Sequence, residues 1–417
     1  MQHVAYDYAM RLAAGGAVAD LAALEGLRAM AGLPAGQPLA FCKLLNESVC
    51  LPAVGARALT VLVYNPLSTA RVHTQRIPVA SPAQGGGQFA WAVRGAGGAV
   101  PSAVLPATAT AGPQQRLQNA ADASKFELVF QAPLQPFALH AFTVHVPAGA
   151  RASRTPRARA VRGGAGAGAV EIGNGRVRVG FDQQTGLLSY VARGRGGPAI
   201  ALSHNMLWYR AADSAAEQAS GAYIFRPNSS VTERDGSNAE CVGDCTATLR
   251  VVRTALVEEA VQVFGAWATQ TVRVHANRDD VEIEWTVGAI PIEDGLGKEV
   301  ISRFSTNISS GGAFLTDSNG RDMLRRRRCQ TASAKTPDLK CRPSVPAYMV
   351  TEPVAGNYFP VNAQIAIADS RAALAVLVDR AQGGTSLRDG QIELMVHRRL
   401  LADDNRSSSG SLSFLCV

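Results

Sequence analysis

Carboxylates are the first residues of this chain to test for chemistry. Asp280, Glu282 and Glu284 alternate along Asp279–Trp285 and so share one face of an extended strand. Two carboxylates so placed can divide nucleophilic and acid/base work between them. The same alternation sets them opposite Val281, Ile283 and Trp285, which is the pattern of a half-buried strand with a polar outer face. That second reading accounts for every residue, and Glu258-Glu259 reads the same way. There is no Gly-X-Ser-X-Gly elbow, no His-Glu-X-X-His and no phosphate loop, and Gly295–Lys298 is too short to cradle a phosphate. Two other places remain. Tyr223 stands in Ser220–Asn228, an exposed-loop composition with one aromatic hydroxyl, to be weighed against a core tyrosine. His397-Arg398-Arg399, followed by Asp403-Asp404-Asn405-Arg406, crowds fixed donors and acceptors at one rim.

The 7 cysteines fall as Cys42/Cys50, Cys241/Cys245, Cys329/Cys341 and a lone Cys416. Three local pairs suit small disulfide loops of an oxidising compartment, with Cys416 free. A zinc reading of Cys241 and Cys245 lacks a histidine partner nearby. Asn46, Asn228, Asn307 and Asn405 each open an Asn-X-Ser sequon, in keeping with passage through the secretory pathway.

The elements that must position these residues are mostly strands. Composition is that of a globular chain, 47% hydrophobic and 18% charged, with no apolar run long enough to cross a bilayer. The formal charge of +8 clusters in Arg151–Arg162 and Arg325–Arg328 without interleaved aromatics. It reads as linker and loop charge rather than a nucleic-acid surface, and no membrane partner is expected. Residues 1–40 carry a helical pattern broken at Gly15-Gly16, in which His3 reads as a surface residue. From Leu59 the apolar period becomes two, and residues 41–147 read as a small β domain. Residues 148–169 are basic and low in complexity, the composition of a flexible linker. From Glu171 onward strands dominate through residue 406, which favours an antiparallel sandwich. Gln364–Ile367, Ala373–Val378 and Ile392–Val396 alternate as three of these strands, with Ala381–Gly390 read as a glycine-rich loop. Residues 407–417 form a divergent tail.

Several longer stretches add a resemblance. Val63-Tyr64-Asn65-Pro66-Leu67, Ser220–Asn228, Gly297–Phe304, Thr316–Arg321, Glu352–Tyr358 and the run to Arg406 resemble lysosomal-type α-mannosidases of glycoside hydrolase family 38. The resemblance implies a mainly β chain: a remnant helical segment, a small β domain, then a truncated galactose-mutarotase-like sandwich. It places the family's catalytic barrel, with its zinc ligands and nucleophilic aspartate, before Met1, and most of the C-terminal β region after Val417. No cofactor is then expected in this chain, zinc belonging to the barrel. The implied reaction is retaining hydrolysis of α-linked mannose in N-glycan oligosaccharides, in a lysosome or vacuole, by an enzyme that can be oligomeric. The Ser-Gly-Ala-Tyr and Arg-Arg loops of the family reach the sugar pocket, which implies substrate contacts for Tyr223, Arg398 and Arg399. The Cys42–Cys50 pair matches a local disulfide of lysosomal members. The alternative is a carbohydrate-binding sandwich without catalysis. Strands around Ile392–Val396 are expected to lack neighbours, leaving the region beyond residue 170 less ordered than residues 59–146. On this reading the purified chain releases no product from an aryl α-mannoside; chelator-sensitive cleavage would overturn it.

Overall fold

The computed structural model describes residues 56–79, 91–107, 126–147, 159–160, 170–213, 218–329 and 351–404, with residues 29, 50 and 53. The helical reading of residues 1–40, Cys42, Asn46, Cys341, Asn405, the tail with Cys416 and most of the 148–169 linker lie outside them.

Seven strands make the small domain: β1 (Ala58–Tyr64), β2 (Arg71–Val79), β3 (Ala92–Gly95), β4 (Gly98–Val100), β5 (Ser102–Pro106), β6 (Phe126–Leu134) and β7 (Leu139–His145). They form two antiparallel sheets, β1-β7-β3-β4 and β2-β6-β5. Alternation along each strand turns Val63, Val93, Phe142 and Val144 of one sheet onto Ile77, Leu128 and Phe130 of the other, in one shared core. Within the stretch read as linker, Arg159–Ala160 (β8) pairs with the edge of the next domain.

The larger domain contains β9 (Val170–Gly173), β10 (Val177–Phe181), β11 (Leu188–Arg193), β12 (Ala199–Arg210), β13 (Glu240–Cys241), β14 (Thr248–Arg253), β15 (Val257–Phe264), β16 (Ala268–His275) and β17 (Glu282–Val287). It continues with β18 (Lys298–Thr306), β19 (Ala313–Ser318), β20 (Asp322–Arg327), β21 (Phe359–Val361), β22 (Gln364–Ala368), β23 (Ala373–Leu377), β24 (Gln382–Thr385) and β25 (Gln391–Arg399). The long sheet runs β21-β24-β25-β18-β12-β11-β10-β9, with β13 beside β12. Its inner face is covered by two smaller sheets, β17-β16-β15-β14-β8 and β20-β19-β22-β23. Phe181, Leu202, Phe304 and Ile392 of the long sheet meet Val251, Ala260 and Val272 of one cover and Phe314, Ile365 and Ile367 of the other. The chain is thus mainly β and sandwich-like, as its periodicity implies.

Three expectations need correcting. Ala381–Gly390 is not simply a loop, because β24 lies inside it, paired with β21 and β25. Its glycines make room for neighbouring side chains: a Cβ at Gly383 would stand 2.5 Å from Met395 Sδ, and one at Gly384 2.6 Å from Val361 Cγ2. The second concerns β25, which is paired on both sides, by β18 and β24, so Ile392–Val396 has its ladder. The third concerns Arg325–Arg327, which belong to strand β20 rather than a loop; Arg326 stacks over the Phe359 ring at 4.5 Å while Arg325 and Arg327 are exposed.

A fourth correction concerns charge. Glu259 is fully buried, not outward-facing, because the outer face of the β14–β17 sheet is the face on which the small domain docks. Register sets Glu259 opposite Arg273, and Arg273 opposite Glu282. Arg273 Nε donates to Glu259 Oε1 at 2.7 Å, and its Nη1 reaches Glu282 Oε1 at 3.2 Å and also Glu284. From the small domain, Arg76 reaches across to Glu259 at 2.5 Å and holds its own Glu127 as well. Leu105 and Val129 pack on Val252 and Val257 alongside. Burial works against every charge here, but mutual attraction lowers the Glu259 and Glu282 pKa values and raises those of Arg76 and Arg273. Asp280 and its neighbours are therefore absorbed by arginines; Arg278 Nε donates to Asp280 at 2.8 Å.

Removing one member of a buried ion network leaves the others uncompensated. Arg76→Ala is expected to lower the unfolding free energy by about 3 kcal/mol and to shift the denaturant midpoint accordingly. An unchanged midpoint would show that docking does not depend on the network.

Candidate functional site

Strand β18 threads the site. Its sequence alternates Val300, Ser302 and Phe304 toward the covered side with Glu299, Ile301 and Arg303 toward the other. Val300 and Phe304 pack into the sandwich, whereas Ile301 joins Leu207, Tyr209, Val354 and Leu387 beneath the loops of residues 218–240 and 351–358. Glu299 and Arg303 are thereby buried on a face that water does not reach, and each requires a partner.

Register provides them. Arg303 lies opposite Glu393 on β25, and its Nε donates to Glu393 Oε1 at 2.8 Å. The Tyr209 and Tyr358 hydroxyls donate to Glu393 Oε2 at 2.9 and 2.8 Å, and Arg303 Nη2 donates to the Gly236 carbonyl at 2.7 Å. Burial and the Glu393 charge push both tyrosine hydroxyls well above their ordinary pKa, so they remain donors. Glu299 lies opposite Arg398, whose Nη2 binds its Oε1. Burial raises the Glu299 carboxyl despite that pairing.

The Glu299–Arg398 pair holds the Ser220–Arg226 loop. Arg398 Nη2 donates to Ser220 Oγ at 3.0 Å and to the Ile224 carbonyl at 2.8 Å, while the Ser220 hydroxyl donates toward Glu299. The Arg226 N–H returns to Ser220 Oγ at 3.0 Å, and Arg226 Nε binds Glu352 at 2.8 Å. Asp404 Oδ2 accepts the N–H groups of Tyr223 at 2.7 Å and Ile224 at 3.0 Å. What this fastened loop presents outward is Tyr223, 73% exposed, its hydroxyl unbonded among the described residues. The core-tyrosine reading of Tyr223 is thus set aside.

The residues singled out in the sequence are only partly gathered. Arg398 stands behind the Tyr223 loop, with Nε buried and unpartnered and Nη1 free of hydrogen bonds among the described residues. Arg399, next along β25, turns away and donates to the Ile290 carbonyl at 2.6 Å. Burial lowers the His397 pKa. Asn228 is half-buried, its Oδ1 taken by the Ser230 N–H and hydroxyl at 3.0 and 2.6 Å, while Asn307 is exposed. Cys241 and Cys245 form a disulfide with Cα atoms 5.1 Å apart. Cys50 and Cys329 are also disulfide-bonded. A cavity of about 210 Å³, smaller than an ordinary ligand pocket, is lined by Tyr209, Arg210, Thr232, Asn238 and Glu240 on the same side of the sheet. Among the described residues no group of three or more His, Cys, Asp or Glu could hold a metal ion, and no helix is long and apolar enough to cross a membrane.

Glu299 was not read from the sequence as a site residue, and Ser220 and Asp404 were read only as members of longer stretches. One signal was available: a carboxylate and a guanidinium at positions 299 and 303 flank Val300-Ile301, and charges in so apolar a strand demand buried partners.

Comparison with known proteins gives a concordant picture. A family model described as "Glycosyl hydrolases family 38 C-terminal domain" matches residues 172–406. A lysosomal alpha-mannosidase of Homo sapiens is 37% identical over 414 residues, covering 99% of this chain and 37% of the relative. One from Cavia porcellus is 38% identical over 415 residues, covering 99% and 37%. A probable alpha-mannosidase of Arabidopsis thaliana is 32% identical over 450 residues, covering 100% and 41%. The chain therefore spans well under half the length of these relatives.

The buried pair makes a pH-dependent prediction. Arg398→Ala leaves Glu299 buried without its cation, costing about 3 kcal/mol near neutral pH. The Glu299 pKa is already raised in the folded state and rises further in the variant. The folded variant then takes up a proton more readily than the unfolded chain, and the deficit shrinks as pH falls. Denaturant melts of wild type and variant between about pH 7.5 and about pH 5 check this; a deficit independent of pH would show that Glu299 is not the group responsible. Arg398→Ala is accordingly not the fold-neutral change that a pure substrate contact would allow.

Proposed function

The chain belongs to glycoside hydrolase family 38, whose C-terminal domain its residues 172–406 match, and from that premise we propose that it forms β-region structure of a lysosomal-type α-mannosidase. The reaction is retaining hydrolysis of α-linked mannose in N-glycan oligosaccharides, with the reacting carboxyls outside this chain. Zinc has no donor set among the described residues. The chain's own contribution is to present substrate contacts at the rim of the sugar site. The single observation that supports this is Tyr223: an aromatic ring left exposed on a loop that buried Asp404 and Glu299, with Arg398, hold at Ser220, Tyr223 and Ile224. An amphipathic ring held in a fixed position suits a sugar, offering a face to C–H groups and a hydroxyl to O–H groups.

Arg398, through Nη1, and Arg399, beyond its carbonyl contact, are proposed as accessory contacts, with Arg398 closer to the loop. The sequons at Asn228 and Asn307 are proposed as glycan sites, Asn307 being the more exposed. Residence in the lysosome or vacuole follows from the same reading, since the mammalian relatives are lysosomal by name. A stand-alone sugar-binding module is less well supported. Such modules offer exposed tryptophan platforms, whereas Trp91 and Trp208 are buried here and Trp267 and Trp285 pack half-buried against a core.

The test is Tyr223→Phe in the whole α-mannosidase that contains these residues. The hydroxyl makes no internal hydrogen bond among the described residues, so the melting temperature is expected to stay unchanged. A lost hydrogen bond to substrate, worth about 1–2 kcal/mol, lowers kcat/KM roughly tenfold. Unaltered kcat/KM would remove Tyr223 from the substrate site.

A further inference from the structure

We infer that Asp404 is a positioning residue for Tyr223, fixing the ring through the loop backbone, an inference that rests on the substrate-rim reading above. The geometry of the turn carries it. In an ordinary four-residue turn the last N–H returns to the first carbonyl. Here the Ile224 N–H goes instead to Asp404 Oδ2, at 3.0 Å, together with the Tyr223 N–H at 2.7 Å. Within the turn, the Gly221 N–H donates to the Ile224 carbonyl at 3.0 Å. One fully buried carboxylate, 0% exposed, thus anchors the two amides that flank the Tyr223 side chain. The two segments are 181 residues apart in sequence, so no local preference creates this contact.

A second observation, independent of those hydrogen bonds, is the fit at Gly221. A Cβ there would stand 2.4 Å from the Asp404 backbone nitrogen and 2.5 Å from its Cβ and Cγ. The loop lies flat on Asp404, and only glycine permits that approach. Gln218 Nε2 also reaches the Asp404 carbonyl, tying the start of the loop to the same residue. The loop is also held by Glu299 and Arg398. Those groups grip Ser220 and the Ile224 carbonyl, whereas Asp404 alone among them engages the Tyr223 backbone. A side chain that is 73% exposed has few contacts of its own to fix it, so its direction depends on the backbone beneath. Charge-assisted hydrogen bonds from backbone N–H to carboxylate are among the strong ones.

The experiment compares amide hydrogen exchange in this chain for wild type, Asp404→Asn and Asp404→Ala. Asparagine keeps an oxygen where Oδ2 stands, whereas alanine removes it. Asp404→Ala is expected to speed exchange at Tyr223 and Ile224 about tenfold or more, with amides of β18 and β25 unchanged and Asp404→Asn close to wild type. Unchanged loop amides in Asp404→Ala, or equal loss of protection across the whole sheet, would overturn the inference. Should Asp404→Ala fail to fold, Gly221→Ala presses on the same contact and is expected to loosen the same two amides; protection retained there would likewise overturn it. The readout of action through Tyr223 is a double-mutant comparison in the whole α-mannosidase. Asp404→Ala is expected to lower kcat/KM in the Tyr223 enzyme and to have less effect in a Tyr223→Ala background. An undiminished effect would show that Asp404 does not act through Tyr223. If the loop loosens as expected while Tyr223→Phe and Tyr223→Ala leave kcat/KM unaltered, positioning stands and the substrate reading alone falls.

Discussion

Glu299 is 2% exposed in the middle of a sheet, and a carboxylate in that position demands a cation and further hydrogen bonds. Arg398 meets the demand because β18 and β25 align Glu299 with it across the ladder. A slip of one residue would turn the guanidinium to the other face of the sheet and leave the carboxylate alone. The pair therefore reports the register of the two central strands. It also does more, since the same guanidinium and the same carboxylate both hold Ser220. Strand register, loop position and Tyr223 are linked through a few atoms.

The same device recurs at the domain interface. Arg76 projects from the small domain between Glu127 and Glu259, and Arg273 continues the alternation of charge toward Glu282 and Glu284. Apolar contact there is small, limited in the buried cluster to Leu105, Val129, Val252 and Val257. A charged interface of this kind adds orientation as much as stability, because each pair is satisfied in one arrangement only. It accounts for Glu259 and Arg273, charges on the outer face of the β14–β17 sheet that are nonetheless buried. Polar networks of the interior also keep their neutral members neutral. Burial holds His204 down to about 3, where Gln270 donates to Nδ1 and leaves the Nε2 hydrogen for Ser302 Oγ.

Carboxylates serve the loops as well as the strands. Asp317 accepts four backbone N–H groups, from Gly320, Asn362, Ala363 and Gln364. Burial alone would raise its pKa, but those donors hold it at about 2. Asp404 organises the Tyr223 turn in the same way, by accepting N–H groups the turn does not satisfy itself. In both places the loop's shape is set by a side chain distant in sequence.

Alternation by itself determined the fold class. Val300 and Phe304, four apart, and Ile365 and Ile367, two apart, each share one face of a strand, and a chain of such segments builds antiparallel sheets. Turn chemistry is also local at residues 183–186, where Asp182 accepts the N–H groups of Gln184 and Thr185 between β10 and β11. The close pairing of Cys241 with Cys245 followed from spacing. What only the tertiary structure decided was what covers each polar face. Glu259 looks like part of a solvent face because alternation cannot distinguish water from a second domain, and Arg76 lies 183 residues from it. Likewise Gly383 and Gly384 read as part of a glycine-rich loop until Met395 and Val361 occupy the space above them. Tyr223 carried no local signal separating core from surface; the separation arises where Arg398 and Asp404 meet its loop from 174 and 181 residues away. Periodicity is a property of neighbours along the chain, whereas partner identity belongs to neighbours in space.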